Sequence, residues 1–280
     1  MLFSARWLVI VLLMAGGLRA APVETEVEVA PGVMGVWATP DGTDTPPARA
    51  VLLFHGWAGK RDEVGDIYRH LAARLAEQGT ASLRIDFRGE GERNGHRLTS
   101  TFAGRVADAE ASLAWVRKTC PEAKVGVVGF SLGGATAMGL VGKHPEAVTS
   151  LVLWSSAADL GADFFASGEM SAVQREAIEK GEAVFQSFAP LTITREHLLG
   201  FIGYDVLTPL AAYHGALLGL RGSDDMLPRY EDRIMAVAGA APEQAVVIGG
   251  ADHIFHVFDP EKSSEGRVLD LTLRWFAETL

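Results

Sequence analysis

Short runs of continuously apolar, β-branched-rich sequence alternate with amphipathic helical segments through most of this 280-residue chain, and that alternation constrains the fold more than any other feature. Ala50 to Phe54 reads AVLLF, with no polar residue on either pleat face, as expected of a strand covered by helices on both sides. Ala81 to Ile85, Val125 to Val128, Val148 to Trp154, Ala216 to Leu220 and Ala245 to Ile248 repeat the theme. Between them lie helical segments. Val64, Ile67, Leu71 and Leu75 share one face of the first, with Asp62 placed to cap it and Gly79 to end it. Val106, Ala109, Leu113 and Val116 mark the second, Leu132 to Lys143 forms the third, and Leu269, Leu273, Phe276 and Leu280 mark a closing helix. Ahead of this series, Val23 to Val29 alternates apolar and polar as a half-buried strand, and Val33 to Ala38 can return beside it. The turn from Pro40 to Pro47 leads into the parallel region. Regular alternation with short connections predicts an α/β fold: a mostly parallel eight-stranded sheet, helices on both faces, right-handed crossovers.

One stretch breaks the rhythm. Ala158 to Tyr213 has helical pieces and scattered aromatics (Phe164, Phe165, Phe185, Phe188, Phe201, Tyr204) with no place in the alternation. It is expected to be a cap inserted after the sixth strand, the alternative being a pair of peripheral helices that turn their aromatics inward.

At the other extreme, residues 1–20 place Arg6 before an apolar run from Trp7 to Leu18 and end in Ala20, the layout of a secretory signal peptide. The run is short of the ~20 residues that span a bilayer. Cleavage near Ala20 would remove two arginines and no acid, taking the net charge from -10 to -12 and leaving residues 21–280 as one exported domain. An acidic chain of this kind does not suit nucleic acid or an anionic membrane as partner; a small neutral substrate fits better. Cys120 is the lone cysteine, which excludes an internal disulfide, and its place at a helix end before Pro121 suits a partly buried small side chain.

The chemistry concentrates where strands end. Gly129-Phe130-Ser131-Leu132-Gly133-Gly134 follows the strand Val125 to Val128 and opens a helix, so the glycines flank a serine held in a sharp turn with its hydroxyl lifted clear of the backbone. A serine hydroxyl needs a base to take its proton. His253 follows the strand Ala245 to Ile248 through a four-residue loop, on the same sheet edge as the serine; His256 is the competitor, expected at the start of the closing helix. The other histidines, at 55, 70, 96, 144, 197 and 214, lie elsewhere and read as solvated or satisfied. The base needs an acid to fix its tautomer. Asp252 is too close along the chain to reach the ring, which leaves Asp225 or Asp224 in the loop from Arg221 to Pro228, either of which could instead cap a helix starting near Pro228. Finally, Phe54-His55-Gly56-Trp57-Ala58-Gly59 follows the third strand, and the backbone N–H groups of Trp57 and Leu132 could converge on a tetrahedral oxyanion.

Four blocks together resemble the α/β-hydrolase superfamily over residues 50 to 278: the HGWAG loop, LRIDFRGEGE at 83–92, the GFSLGG turn and GGADHIF at 249–255. Within it the chain looks most like serine esterases related to bacterial cinnamoyl (feruloyl) esterases and like serine-aminopeptidase-like (S33) hydrolases. The resemblance implies acyl transfer on Ser131, with no cofactor and no metal, and a cap after the sixth strand that shapes the acyl pocket. It also implies an acid three residues after Gly222, which selects Asp225, although the same pattern counted back from Pro228 selects Asp224. Ester hydrolysis is the expected reaction, with peptide or thioester cleavage by the same residues as the alternative, and a non-catalytic binding role on the same fold as a more distant one. The insert carries no recognisable substrate motif.

Overall fold

The computed structural model describes residues 22–40, 45–90, 94, 96–159 and 168–280. The expected signal peptide, part of the turn from Pro40 to Pro47, Gly91 and Glu92 of the second block, and Phe164 and Phe165 lie outside the described residues.

In chain order the elements are β1 (Val23–Ala30), β2 (Val33–Thr39), β3 (Arg49–Phe54), α1 (Ile67–Glu77), β4 (Ala81–Ile85), β5 (Arg97–Leu98), α2 (Phe102–Thr119), β6 (Lys124–Phe130), α3 (Leu132–Lys143), β7 (Ser150–Trp154), α4 (Gly168–Lys180), β8 (Glu182–Gln186), β9 (Pro190–Thr194), α5 (Arg195–Leu199), α6 (Leu207–Leu210), β10 (Ala216–Gly222), α7 (Tyr230–Val237), β11 (Glu243–Ile248) and α8 (Glu265–Thr279). Eight strands form one sheet in the order β1-β2-β4-β3-β6-β7-β10-β11. Pairs from β4 to β11 are parallel, and the β1-β2 hairpin joins antiparallel through β2 and β4. The mostly parallel eight-stranded sheet expected from the alternation is therefore present.

The continuous apolarity of β3 has a direct cause in the two cores. Ala50, Leu52 and Phe54 point into the core shared with α2 and α3, while Val51 and Leu53 point into the core shared with α1 and α8. Both pleat faces are dry, so neither tolerates a polar residue. Strand β1 lies at the sheet edge and is more exposed than its alternation suggests, with Val23 48% accessible, because only β2 flanks it. Cys120, just past α2, is fully buried.

Local details at α1 differ from expectation. Asp62 does not cap the helix: its carboxylate accepts from Arg84 Nε at 2.5 Å. Arg84 is 2% exposed, and a buried guanidinium needs carboxylate partners more than a helix end needs a cap. Glu63 instead accepts from the Val64 N–H, Val64 to Asp66 forms a 3-10 turn, and α1 begins at Ile67 after a left-handed Asp66. Gly79 ends the helix at φ +73, as expected.

The segment between β7 and β10 contains more than helices. Strands β8 and β9 form an antiparallel hairpin, and β5, from the loop after β4, pairs in parallel with β9 to complete a second, three-stranded sheet. Leu191 and Ile193 bury one pleat face of β9. The insert is thus tied to the main body through this sheet, and the Phe102 N–H at the start of α2 also donates to Gly200 O at 3.1 Å.

Candidate active site

Strands β6, β7, β10 and β11 run parallel side by side, so the loops that follow them gather at one sheet edge. Ser131 is the single residue between β6 and α3. Its backbone sits at φ 52, ψ -117, a conformation that costs a non-glycine residue about 1 to 3 kcal/mol. Neighbouring bonds hold it there: Ser131 N–H donates to Trp154 O at 2.9 Å, and Ser131 O accepts from Gly134 N–H and Ala157 N–H, each at 3.0 Å. The flanking glycines answer to close backbone approach. A Cβ at Gly133 would lie 1.9 Å from Phe54 O, and one at Gly129 would lie 2.4 Å from Gly133 O. This lets α3 press against β3 and turns the serine side chain outward.

Three side chains are hydrogen-bonded in series. Ser131 Oγ lies 3.1 Å from His253 Nε2, and His253 Nδ1 lies 2.9 Å from Asp225 Oδ1. Asp225 Oδ1 also accepts from Leu227 N–H at 2.9 Å. Burial pushes the Asp225 carboxyl up, but the hydrogen bond and charge interaction with His253, helped by Leu227 N–H, outweigh it and hold the group below its ordinary value. The Phe130 ring lies tilted beside the imidazole, 5.1 Å centroid to centroid.

The competing residues go elsewhere. Asp224 is exposed and accepts from Ser223 Oγ at 2.8 Å. Asp252 Oδ1 accepts from the Ile254 and His256 N–H groups, shaping the turn on which His253 rides. His256 does not open the closing helix, which starts at Glu265; it sits in that turn at φ 51, with Nε2 3.0 Å from Gly250 O. Neither acid candidate caps α7, whose N-cap position is Arg229.

The loop after β3 lies beside the serine: a Cβ on Gly56 would lie 3.5 Å from Ser131 Cβ. Among the described residues, neither the Trp57 nor the Leu132 backbone N–H has a hydrogen-bond acceptor, whereas the amides on both sides of Trp57 are taken. Gly56 N–H donates to Glu63 Oε2 at 2.6 Å and Ala58 N–H donates to Glu90 Oε2 at 2.9 Å.

Behind this loop is a buried polar cluster. Arg105 pairs with Glu90 at 2.8 Å, both fully buried, and donates to His55 O at 2.5 Å and Thr136 Oγ1 at 3.1 Å, with its guanidinium 3.9 Å above the Phe87 ring. Burial, then Arg105, lowers His55 to about 4, so its ring is neutral; Nδ1 donates to Gly56 O at 2.8 Å and Nε2 accepts from Phe87 N–H. Burial raises Glu90, but Arg105 and the other surrounding donors reverse that and hold it low. Burial raises Glu63 to about 7. Arg221 plays a similar supporting part under the Asp225 loop, donating to Leu227 O and Pro228 O. Sequence reasoning assigned no role to Glu63, Glu90, Arg105 or Arg221. Arg105 carried a signal, since it falls on the apolar face of α2 beside Phe102, Val106 and Ala109, where a charge must have a buried partner.

Among the described residues no group of three or more His, Cys, Asp or Glu side chains could hold a metal ion.

Comparison with known proteins agrees with this architecture. The chain is 29% identical over 272 residues to an uncharacterised protein of Mycobacterium tuberculosis, an alignment that covers 95% of this chain and 83% of that one. Among solved structures, Est1E of Butyrivibrio proteoclasticus with ferulic acid bound is similar with a TM-score of 0.69 at 16% identity, covering 90% of this chain and 99% of that one. Dienelactone hydrolase of Anabaena variabilis is similar with a TM-score of 0.62 at 19% identity, covering 93% and 100%. Identities this low show a shared α/β-hydrolase fold. The family described as serine aminopeptidase, S33, matches residues 45–197, a span that takes in the loop after β3, the Ser131 turn and much of the insert and stops before Asp225 and His253. On this match, over more than half of its length, the chain belongs to the serine aminopeptidase S33 family.

Proposed function

We propose that this chain is a serine hydrolase that cleaves carboxylic esters of small molecules through an acyl-enzyme on Ser131. One observation carries the reading: the unbroken series from Ser131 Oγ to His253 Nε2 and from His253 Nδ1 to Asp225. Asp225, low in pKa and buried, keeps the Nδ1 proton on the ring and leaves the Nε2 lone pair facing the hydroxyl. As Ser131 Oγ attacks the ester carbonyl, His253 takes its proton and then returns it to the leaving alkoxide. Water repeats the sequence to release the acid and restore the serine. The Trp57 and Leu132 N–H groups, without an acceptor among the described residues, hold the carbonyl oxygen as it gains charge; one such donor is worth about 100-fold to 1000-fold in rate. The insert caps this edge, with Phe185 on β8 6.3 Å from the Trp57 ring.

The family description favours a second reading, peptide cleavage by the same residues. Rates on p-nitrophenyl acetate, aryl cinnamates and aminoacyl anilides separate the two. Ferulic acid bound to Est1E makes the cinnamates an informative arm. Labelling by a fluorophosphonate probe tests the mechanism itself: label is expected on the wild type and lost in Ser131→Ala, and unchanged labelling of that variant overturns the proposal. Export is proposed on residues 1–20, and the N-terminus of protein recovered from outside the cytoplasm tests it.

A further inference from the structure

We propose that His197, on α5 of the insert, is a positioning residue for the Trp57 oxyanion donor, an inference that rests on the serine mechanism above. Three of the bonds that hold the loop after β3 lie at Trp57 and its two neighbours. Two are backbone amides, Gly56 on Glu63 and Ala58 on Glu90. The third is the Trp57 side chain, which reaches out of the main body and donates from Nε1 to His197 Nε2 at 2.8 Å. The peptide between the two pinned amides carries the N–H that the mechanism uses, and it is followed by Ala58 at a strained φ of 54. A strained loop keeps its orientation only if its surroundings hold it: His55 Nδ1 donates to Gly56 O of that same peptide at 2.8 Å, and the indole bond anchors the side chain of the residue that carries the N–H.

The direction of each bond follows from chemistry. Ser100 O, 2.8 Å from His197 Nδ1, can only accept, so Nδ1 carries the ring proton and the Nε2 lone pair is left for the indole. Burial, chiefly, lowers the pKa of His197 and keeps it in this neutral, accepting form. From Ser100 the network runs back to where it began. Ser100 Oγ donates to Glu90, and Glu90 holds Ala58 N–H, the residue after Trp57. The indole, His197, Ser100 and Glu90 thus form a closed polar circuit through the loop, and His197 is its one member contributed by the insert. Seating of the insert and alignment of the oxyanion donor are coupled: if α5 shifts, the indole loses its acceptor and the Trp57 residue loses its side-chain anchor.

The test compares kcat and KM on p-nitrophenyl acetate for the wild type, Trp57→Phe, His197→Asn, His197→Gln and the double variant Trp57→Phe/His197→Asn. Asparagine keeps a donor where Nδ1 stood and supplies no acceptor to the indole, whereas the longer glutamine places an acceptor where Nε2 stood. Trp57→Phe and His197→Asn are each expected to lower kcat by about 10-fold to 100-fold, the range for a misplaced rather than deleted donor. KM is expected to stay within about twofold, because the interaction matters only as charge develops. His197→Gln should recover most of the loss, and the double variant should be no slower than the worse single one. Additive losses, equal losses in the asparagine and glutamine variants, a loss confined to KM, or unchanged kcat in Trp57→Phe would each overturn the proposal. Trp57 is only half-buried, so its variant reports even if a change at buried His197 prevents folding. Ser131→Ala separates the two levels: turnover in that variant removes the serine mechanism itself. A dead Ser131→Ala alongside unaffected Trp57→Phe and His197→Asn removes the role of His197 alone.

Discussion

The Arg221 guanidinium lies 3.9 Å from the Asp225 carboxylate, but its shorter bonds go to the loop that carries that residue. Nη2 donates to Leu227 O at 2.9 Å and Nη1 to Pro228 O at 3.0 Å, while Nη1 also meets Glu231 Oε2 at 3.0 Å. Arg221, the next-to-last residue of β10, is buried, so the turn from Asp225 to Pro228 is fastened to the sheet from beneath. The acid's position is therefore set by a cation whose main partners are carbonyls.

Arg221→Met tests that fastening. Glu231, buried and already raised by burial, loses its cation, and stranding a buried carboxyl in this way costs about 3 kcal/mol. Urea unfolding should show that loss, and kcat should fall about tenfold as the loop loosens. Arg221→Met/Glu231→Leu removes the stranded charge, so it should regain stability without regaining kcat. Joint recovery of both would mean that Arg221 acts through stability alone.

Asp225→Asn and Asp224→Asn separate the two neighbours. The first removes the charge beside His253 Nδ1 and can present an amide N–H to the ring, favouring the wrong tautomer; a loss in kcat of about 10⁴-fold is expected. The second alters an exposed group bonded to Ser223 and should change kcat by less than about twofold. Steady-state rates on p-nitrophenyl acetate read both, and a larger loss at Asp224 would reverse the assignment.

What was legible in the sequence follows from which signals are local. Strand β3 announces itself because both its faces are buried, and the Ser131 turn because Gly129 and Gly133 meet backbone rather than adaptable side chains. The β8-β9 hairpin falls in the stretch that has no clear place in the alternation, although Leu191 and Ile193 alternate with threonines in a short strand-like pattern. That sheet is completed by Arg97 and Leu98, some ninety residues earlier, and no local window reports such a pairing. The same limit hid the loop supports: Glu63, Glu90 and His197 meet around Trp57 only after folding, and each looks ordinary in its own neighbourhood. Asp62 shows a local rule overridden, since its bond to buried Arg84 displaced the cap that its position suggested.

Gly133→Ala should be among the most damaging single-methyl changes near the site. The added carbon would fall 1.9 Å from Phe54 O and 2.6 Å from His55 O, both backbone atoms that cannot swing aside. Helix α3 must then retreat from β3, with an expected loss of about 3 kcal/mol or more and loss of fluorophosphonate labelling. Gly249→Ala is the control, because a Cβ there meets nothing within 4 Å and should change stability by less than about 0.5 kcal/mol. Equal unfolding midpoints for the two variants would contradict the close-packing account of the turn.

Glu63 gives a prediction in pH. Burial raises its carboxyl from 4.5 to about 7, with the hydrogen bonds from Gly56 and Val64 opposing that rise. Between those values the folded chain keeps a proton that the unfolded chain has released, so this group's contribution is full below pH 4.5 and is lost as pH rises through 7. His55 works the other way: its folded value of about 4 against 6.5 unfolded makes stability fall as pH drops through that interval. The two oppose each other over most of the same range and partly conceal one another in the wild type. Glu63→Gln keeps an acceptor for the Gly56 N–H and removes the titration. Measured by urea unfolding at pH 4.5 and pH 8, the stability of Glu63→Gln relative to wild type should therefore rise with pH, by up to ~3 kcal/mol for a shift of this size. A constant difference would mean that Glu63 titrates alike in the folded and unfolded chain, and that the carboxyl under the Gly56 amide is not held in a dry site.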